Sequence, residues 1–182
     1  QRGEPNGDRY NLVIPNQEIR NIITNHILKM FKESVKEDGK TVGEFCDALL
    51  KQNPEKVESI FTDYMKKTIS IRDTFVKKPT KENFYHGLLL GILGFKENWS
   101  VMSNRESGDG FSDILIRIED EDVGIVIEVK YASDGNMEKE CENALQQIAD
   151  VRYIEALKQE GIHKIIKYGI ACYKKKCKVE MK

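Results

Sequence analysis

The chain has 182 residues and a formal net charge of −1 at pH 7, which suits one or two soluble globular domains. This near-zero charge excludes a global basic field of the kind that marks many nucleic-acid-binding proteins. Any such contact must therefore be local, and the candidate patches are residues 174–178, Lys66-Lys67 and Lys77-Lys78, although charge runs are usually solvated turns. The longest apolar run, residues 87–94, is far shorter than the roughly 20 residues of a membrane span, so no membrane contact is expected.

The first part of the chain predicts helices. Residues 1–15 open without Met in a polar stretch, and we interpret them as the end of a preceding domain in a longer protein. Apolar residues then recur at helical spacing up to residue 38, and two further helices follow, the second capped and opened by Asn53-Pro54. We therefore predict an all-helical unit over residues 16–76, whose function cannot be read from its residues.

From Pro79 onward the pattern becomes mixed. In chain order it predicts a helix over residues 79–93, a strand near 96–104, a hairpin over 111–130, a long helix over 137–160 that ends at Gly161, and strands over 165–173 and 177–181. Helices placed between and around strands in this order predict an α/β (α+β) fold with a mixed central sheet flanked by helices.

The hairpin carries the charged residues that point to chemistry. If Ile118 pairs with Val123 across the acidic turn, the antiparallel ladder places Asp113 opposite Glu128, with Lys130 on the same face. Two carboxylates at this distance repel unless a cation lies between them, and Mg²⁺ prefers carboxylate oxygens. Ordinary hairpins also carry charges on a solvated face. The second strand, however, is apolar on both faces except at Glu128 and Lys130, which is typical of an inner strand.

The four cysteines form no C-x-x-C pair, and no secretory signal pattern opens the chain. We therefore expect free thiols in a reducing, cytoplasmic setting. Cys172 and Cys177 flank a predicted turn, but two thiols without a second pair of ligands make a poor zinc site. Because no GxxxxGK[ST] phosphate loop occurs in the chain, any ATPase would have to lie outside it.

Several short segments, taken with the Asp and the Glu-x-Lys of the hairpin, share one family pattern. They are Tyr10-Asn-Leu-Val-Ile-Pro-Asn16, Phe84-Tyr-His-Gly87, Ser103-Asn-Arg-Glu106, Ala144-Leu-Gln-Gln-Ile148 and Ile165-Ile-Lys-Tyr-Gly-Ile170. The combination resembles the PD-(D/E)XK nuclease superfamily, in the bacterial branch whose nuclease domain follows an AAA-ATPase-like domain. The resemblance implies a restriction-endonuclease-like αβββαβ core for residues 77–182. One departure is Ser112, which stands where the superfamily's name has Pro.

The resemblance also implies the residues of a metal site. Asp113 and Glu128 match the superfamily's acidic ligands, and the backbone carbonyl of Val129 is expected to join them around Mg²⁺ or Mn²⁺. A helical Glu82 or His86 would be a further ligand. Each has an alternative reading, because Glu82 also suits a solvated first-turn residue and His86 a buried, hydrogen-bonded one.

The remaining implied roles are catalytic. Lys130 matches the Lys of the motif and is expected to position the attacking water and stabilise the phosphate, with Glu82 counted among the catalytic candidates. Gln146 and Gln147 both lie on the following helix, and Gln147 is in the more family-like position. The resemblance thus implies a metal-dependent nuclease acting on DNA. The alternative is an inactive nuclease-fold module that binds nucleic acid or protein.

Overall fold

The computed structural model describes residues 39–68, 78–103, 113–150, 153–159 and 161–182. The predicted helix before residue 38 and the opening segment lie outside these ranges. Five helices are described, namely α1 (Gly39–Leu50), α2 (Pro54–Thr68), α3 (Lys78–Leu93), α4 (Met137–Asp150) and α5 (Tyr153–Gln159). Five strands are described, namely β1 (Ser100–Ser103), β2 (Asp113–Ile118), β3 (Val123–Tyr131), β4 (Lys164–Tyr173) and β5 (Lys176–Met181).

The strands form one mixed sheet in the order β1-β2-β3-β4-β5. Every neighbouring pair is antiparallel except β3 and β4, which run parallel. Parallel neighbours need a long crossover connection, and α4 and α5 supply it. The elements from α3 to β4 therefore follow the predicted αβββαβ order, and the mixed sheet with flanking helices is a restriction-endonuclease-like fold.

Each face of the sheet is covered by helices. This explains why β3, whose residues are buried on both faces except at Lys130, has no solvated face. One face packs against α1, α2 and α3 in a large core that contains the alternating isoleucines of β2 and β3. The other face packs against α4 and α5 in a smaller core, whose buried residues are Val126, Leu145, Ile148, Leu157 and Ile162. The sheet is thus the middle of three layers, and the charged residues of the hairpin lie on the α4 side.

Helices α1 and α2 share the large core with the sheet. The Tyr168 hydroxyl of β4 donates to the Leu49 carbonyl at 2.9 Å, and the Val179 backbone N–H of β5 donates to Glu58 Oε2 at 3.1 Å. Asn53 caps α2 as predicted, because its Oδ1 accepts the Lys56 N–H at 2.9 Å. The predicted boundary at residue 77 lies outside the described residues, so the division into a helical unit and a nuclease domain stays a prediction.

Two element boundaries differ from the predictions. The strand expected from residue 96 begins at Ser100, because the preceding backbone is used in turns, as in the 3.1 Å bond from the Trp99 N–H to the Lys96 carbonyl. The helix expected over residues 137–160 is described as α4 and α5. Its end at Gly161 is confirmed by a φ of 88° and by the bond from the Ile162 N–H to the Leu157 carbonyl at 3.0 Å. In the described ranges, no helix is long and apolar enough to cross a membrane.

Candidate functional site

The site is built around a charged pair on the inner strand β3. Every residue of β3 is buried except the half-buried Lys130, and Glu128 is 0% exposed. Residues two apart in a strand share a face, so both side chains point toward α4. A carboxylate removed from water requires a charged or hydrogen-bonding partner. Lys130 provides one, since its Nζ lies 2.6 Å from Glu128 Oε1.

The amine of Lys130 also contacts α4. It donates to Gln147 Oε1 at 2.5 Å, so it bridges the strand and the helix, while the Lys130 side chain keeps 20% of its surface exposed. Gln146 is exposed on α4. Of the two glutamines that the sequence offered, the structure therefore brings Gln147 to Lys130. The catalytic role of Gln147 stays a prediction.

The hairpin register is the predicted one, with Ile118 opposite Val123 and Asp113 opposite Glu128. The Ala132 N–H donates to the Cys172 carbonyl of β4 at 3.0 Å, so even-numbered residues near the end of β3 direct their backbone groups to β4 and odd-numbered ones to β2. The pair Asp113–Glu128 is then a non-hydrogen-bonded pair, with Cα atoms about 4.5 Å apart. This is the closest cross-strand spacing that antiparallel strands offer. The register sets residue Asp113 directly opposite Glu128, and the Asp113 side chain lies outside the described part of the structure.

A second group of oxygen atoms lies at the β2 side of the end of β3. The Tyr131 N–H, directed to that side, donates to Glu82 Oε1 of α3 at 3.2 Å. Val129 is two residues earlier, so its carbonyl is directed to the same side. Glu82 is half-buried and hydrogen-bonded, so the reading of it as a solvated first-turn residue is wrong.

His86 lies one helical turn after Glu82 on α3. Its side chain is 3% exposed, and Nε2 lies 3.5 Å from the Ser103 hydroxyl at the end of β1. This position agrees with the reading of His86 as a buried, hydrogen-bonded residue. A metal-binding role for His86 stays a prediction.

The donor atoms at this end of the sheet fit a hard divalent cation by chemical type. Carboxylates of Glu128 and Glu82, the carbonyl of Val129 and the register position of Asp113 all supply oxygen, which Mg²⁺ and Mn²⁺ prefer. Among the side chains that the structure describes, no three His, Cys, Asp or Glu form a ready metal cluster.

The structure adds residues that the sequence did not single out. The Tyr131 side chain lies on the α3 side of the sheet, and its hydroxyl accepts a hydrogen bond from Lys81 Nζ at 3.2 Å. The Tyr131 ring stacks on Tyr85 with centroids 6.1 Å apart and lies 6.2 Å from the Tyr173 ring of β4. These contacts join residues up to 50 positions apart in the chain, so no local spacing predicts them.

Comparison with curated proteins gives no match for this chain. A family model described as the PD-(D/E)XK nuclease superfamily matches residues 80–182, which is more than half of the chain. The matched region contains the whole sheet and the residues Asp113, Glu128 and Lys130. On this match and on the fold, the chain belongs to the PD-(D/E)XK nuclease superfamily.

Proposed function

We propose that residues 77–182 form a metal-dependent nuclease domain that hydrolyses the phosphodiester bonds of DNA. One observation carries the proposal. The amine of Lys130 is held 2.6 Å from the carboxylate of Glu128 and 2.5 Å from the amide oxygen of Gln147, on a buried strand whose register sets Asp113 opposite Glu128. Membership of the superfamily supports nuclease chemistry at this position.

The chain's oxygen donors define where a cation would be held. Asp113, Glu128 and the Val129 carbonyl would hold Mg²⁺ or Mn²⁺, with Glu82 or His86 as the further ligand. A cation bound there supplies polarisation of the phosphoryl oxygen and makes bound water more acidic. Because the Glu82 carboxylate also accepts the Tyr131 N–H, it fixes the end of β3 against α3.

Lys130 is placed to donate to the substrate. Its ammonium group has three N–H donors, and among the described residues one hydrogen bond goes to Gln147 Oε1, while the Glu128 carboxylate lies 2.6 Å away as its charge partner. A remaining N–H would donate to the attacking water or to a phosphate oxygen, where it would stabilise negative charge that develops in the reaction. Gln147 keeps the flexible amine in place, so its proposed role is positioning.

Cleavage assays test this proposal. Wild type, Lys130→Met and Asp113→Asn would be incubated with linear, circular and single-stranded DNA and with RNA in Mn²⁺ and in Mg²⁺. We expect wild type to cleave DNA and both variants to lose on the order of 100-fold or more, the usual loss when a transition-state donor is removed. Lys158→Met is the matched control, because Lys158 is an exposed lysine of α5. Equal background cleavage by wild type and Lys130→Met would refute the proposal.

Metal binding can be measured without cleavage. A cation present at ten times its Kd stabilises the folded state by about 1.4 kcal/mol, which raises Tm by about 3–6 °C in a protein of this size. We expect Mg²⁺ and Mn²⁺ to produce such a rise and Asp113→Asn to abolish it. If the cations produce no rise in Tm and wild type shows no cleavage, the results would favour the alternative, a nuclease fold that serves as a binding module for nucleic acid or protein.

We also propose the setting in which this domain works. The resemblance of residues 10–16, 84–87 and 103–106 to the ATPase-associated branch supports an AAA-ATPase-like domain as an N-terminal partner in a larger protein. If so, ATP should change the cleavage rate of that larger protein and leave the rate of this chain unchanged. The four cysteines are buried free thiols, which fits a cytoplasmic location.

A further inference from the structure

The turns at the two ends of the sheet carry opposite charge. At the far end, the turn between β2 and β3 exposes Asp120, Glu121 and Asp122. At the near end, the turn between β4 and β5 exposes Lys174 and Lys176. Because β3 and β4 run parallel, the lysine turn lies at the same end of the sheet as the Glu128–Lys130 pair. The lysine turn therefore offers a polyanion a local positive region at the end where the proposed chemistry takes place.

Lys81 of α3 extends that positive region. Its Nζ is 3.2 Å from the Tyr131 hydroxyl and 4.4 Å from the centre of the Tyr131 ring, at the same end of β3 as Lys130 but on the opposite face of the sheet. Among the described residues, Lys81 makes no ion pair with a carboxylate.

Lys174 is held from the other side. Its Nζ lies 5.0 Å from the centre of the Tyr173 ring, and its carbonyl accepts the Tyr85 hydroxyl at 2.6 Å. The Tyr131 ring lies between the Tyr85 and Tyr173 rings. Lys81, Tyr85, Tyr131, Tyr173 and Lys174 are thus one connected unit, which we name the lysine–tyrosine cluster. Its aromatic core fixes two cations that would otherwise be flexible.

The spacing of the cluster suits a nucleic-acid strand. Lys130 pairs with Ala171 in the sheet, β4 ends two residues later at Tyr173, which is roughly 7 Å along the strand, and Lys174 begins the turn that follows. A nucleic-acid strand advances about 3.4 Å per nucleotide. A phosphate about two nucleotides from the one at Lys130 would therefore lie near the turn that carries Lys174.

We propose that the lysine–tyrosine cluster binds the phosphate backbone of the nucleic acid beside the bond to be cleaved. The inference rests on the proposed function. Tyr85 and Tyr131 are buried, so the rings support the lysines and do not stack on bases. Contacts from lysine to phosphate position the backbone and carry no base sequence information. The cluster therefore gives affinity and register without sequence preference.

Binding measured without divalent cations tests the inference. Fluorescence anisotropy of a short fluorescein-labelled DNA duplex in EDTA would compare the full chain with its Lys81→Met/Lys174→Asn variant. Met retains the length of the Lys81 stem over the Tyr131 ring. Asn tolerates the positive φ of 55° at Lys174. The matched control is Lys158→Met/Lys164→Gln, which removes the same charge from exposed residues of α5 and the far end of β4.

The salt dependence gives the expected magnitude. Each lost phosphate contact reduces the magnitude of the slope of log K against log salt concentration by about 0.9. The slope of the Lys81/Lys174 variant should therefore be smaller in magnitude than that of wild type by about 1.8. At 0.1 M salt this corresponds to roughly 60-fold weaker binding. The control variant should keep the wild-type slope. If the double variant does not fold, the single variants Lys81→Met and Lys174→Asn should each reduce the magnitude of the slope by about 0.9.

Three results would overturn the inference: an unchanged slope in the Lys81/Lys174 variant, an equal loss in the control variant, or displacement of the duplex by polyglutamate as readily as by unlabelled DNA. Failure of the proposed nuclease function is a separate result. Wild type that binds DNA with the expected slope but never cleaves it would leave the cluster in place and remove the nuclease. If wild type cleaves DNA and the cluster variants bind it as tightly as wild type does, the nuclease function would stand and the cluster would be ruled out as a DNA-binding site.

Discussion

Gly169 offers a sharp test of how closely α4 approaches the site. This glycine of β4 lies opposite Glu128 in the sheet, beneath α4. A Cβ at this position would lie 2.6 Å from the Cys141 carbonyl oxygen, 3.0 Å from Leu145 Cγ and 3.2 Å from Ala144 Cβ. The first of these atoms belongs to the helix backbone, so no side-chain rotation can relieve the clash. Gly169→Ala must therefore push α4 away from the sheet.

The size of the effect follows from the contact distances. Non-bonded atoms are most stable near 3.5 Å, so α4 must withdraw by roughly 0.9 Å at Cys141. A gap of this size forfeits a quarter to a half of the attraction between the surfaces that separate. Overpacking typically costs about 1–3 kcal/mol, and a backbone clash belongs at the upper end. We expect the free energy of unfolding to fall by about 3 kcal/mol and Tm by about 6–12 °C.

Thermal unfolding followed by circular dichroism would measure this fall. The matched control is Gly43→Ala in α1, where a Cβ meets nothing within 4 Å. The control should be stabilised by about 0.5–1 kcal/mol, because Ala is the better helix former. Since Gln147 moves with α4, Gly169→Ala should also cleave more slowly at temperatures where it remains folded. A Tm for Gly169→Ala within about 2 °C of wild type would refute the close approach of α4.

Two further changes test the core and the hairpin turn. Tyr168→Phe removes the 2.9 Å donor to the buried Leu49 carbonyl, which keeps the Gln52 N–H at 3.2 Å, so the free energy of unfolding should fall by about 0.5–1.5 kcal/mol in urea titrations. No change would contradict the docking of α1 on the sheet. The backbone N–H and ring of His163 lower the pKa of the Asp122 carboxyl below 3.8 by hydrogen bonding. Because the pKa is lower in the folded state, the Asp122 carboxylate stabilises the protein at pH values above its unfolded-state pKa, and this stabilisation is lost as the pH falls through its folded-state pKa. Asp122→Asn should therefore have a lower Tm than wild type at pH 7 and the same Tm in stronger acid. A difference in Tm that persists in strong acid would contradict the stabilising role of the Asp122–His163 contact.

The hairpin could be predicted because its signals are local. Isoleucines alternate with period two on both sides of a short acidic turn, so one register buries them all. A shift by one residue would turn the isoleucines away from the core, which leaves Asp113 opposite Glu128 as the remaining arrangement. The end of α5 was equally local, because Gly161 has the positive φ that a helix terminus needs.

Long-range contacts could not be predicted in this way. The bond from the Tyr131 N–H to Glu82 joins a strand end to a helix 49 positions earlier, and its existence depends on how α3 crosses the sheet. Gln146 and Gln147 differ by about 100° around the helix axis, so a small error in helix phase exchanges them. The structure resolves the choice because packing of Ile148 on the sheet fixes the phase of α4.

The Glu128–Lys130 pair is the point at which stability and chemistry make different demands on β3. A buried ion pair adds little stability, because the loss of hydration of two charges offsets much of their attraction. Apolar residues of similar volume at these two positions would serve the core at least as well, since the rest of β3 is apolar. The strand departs from its apolar pattern only at these two positions, where Asp113 is the cross-strand partner of Glu128 and Gln147 contacts Lys130. A fold selected for stability alone has no use for charges there, whereas hydrolysis of a phosphodiester needs both a carboxylate to hold a cation and an amine to meet the phosphate.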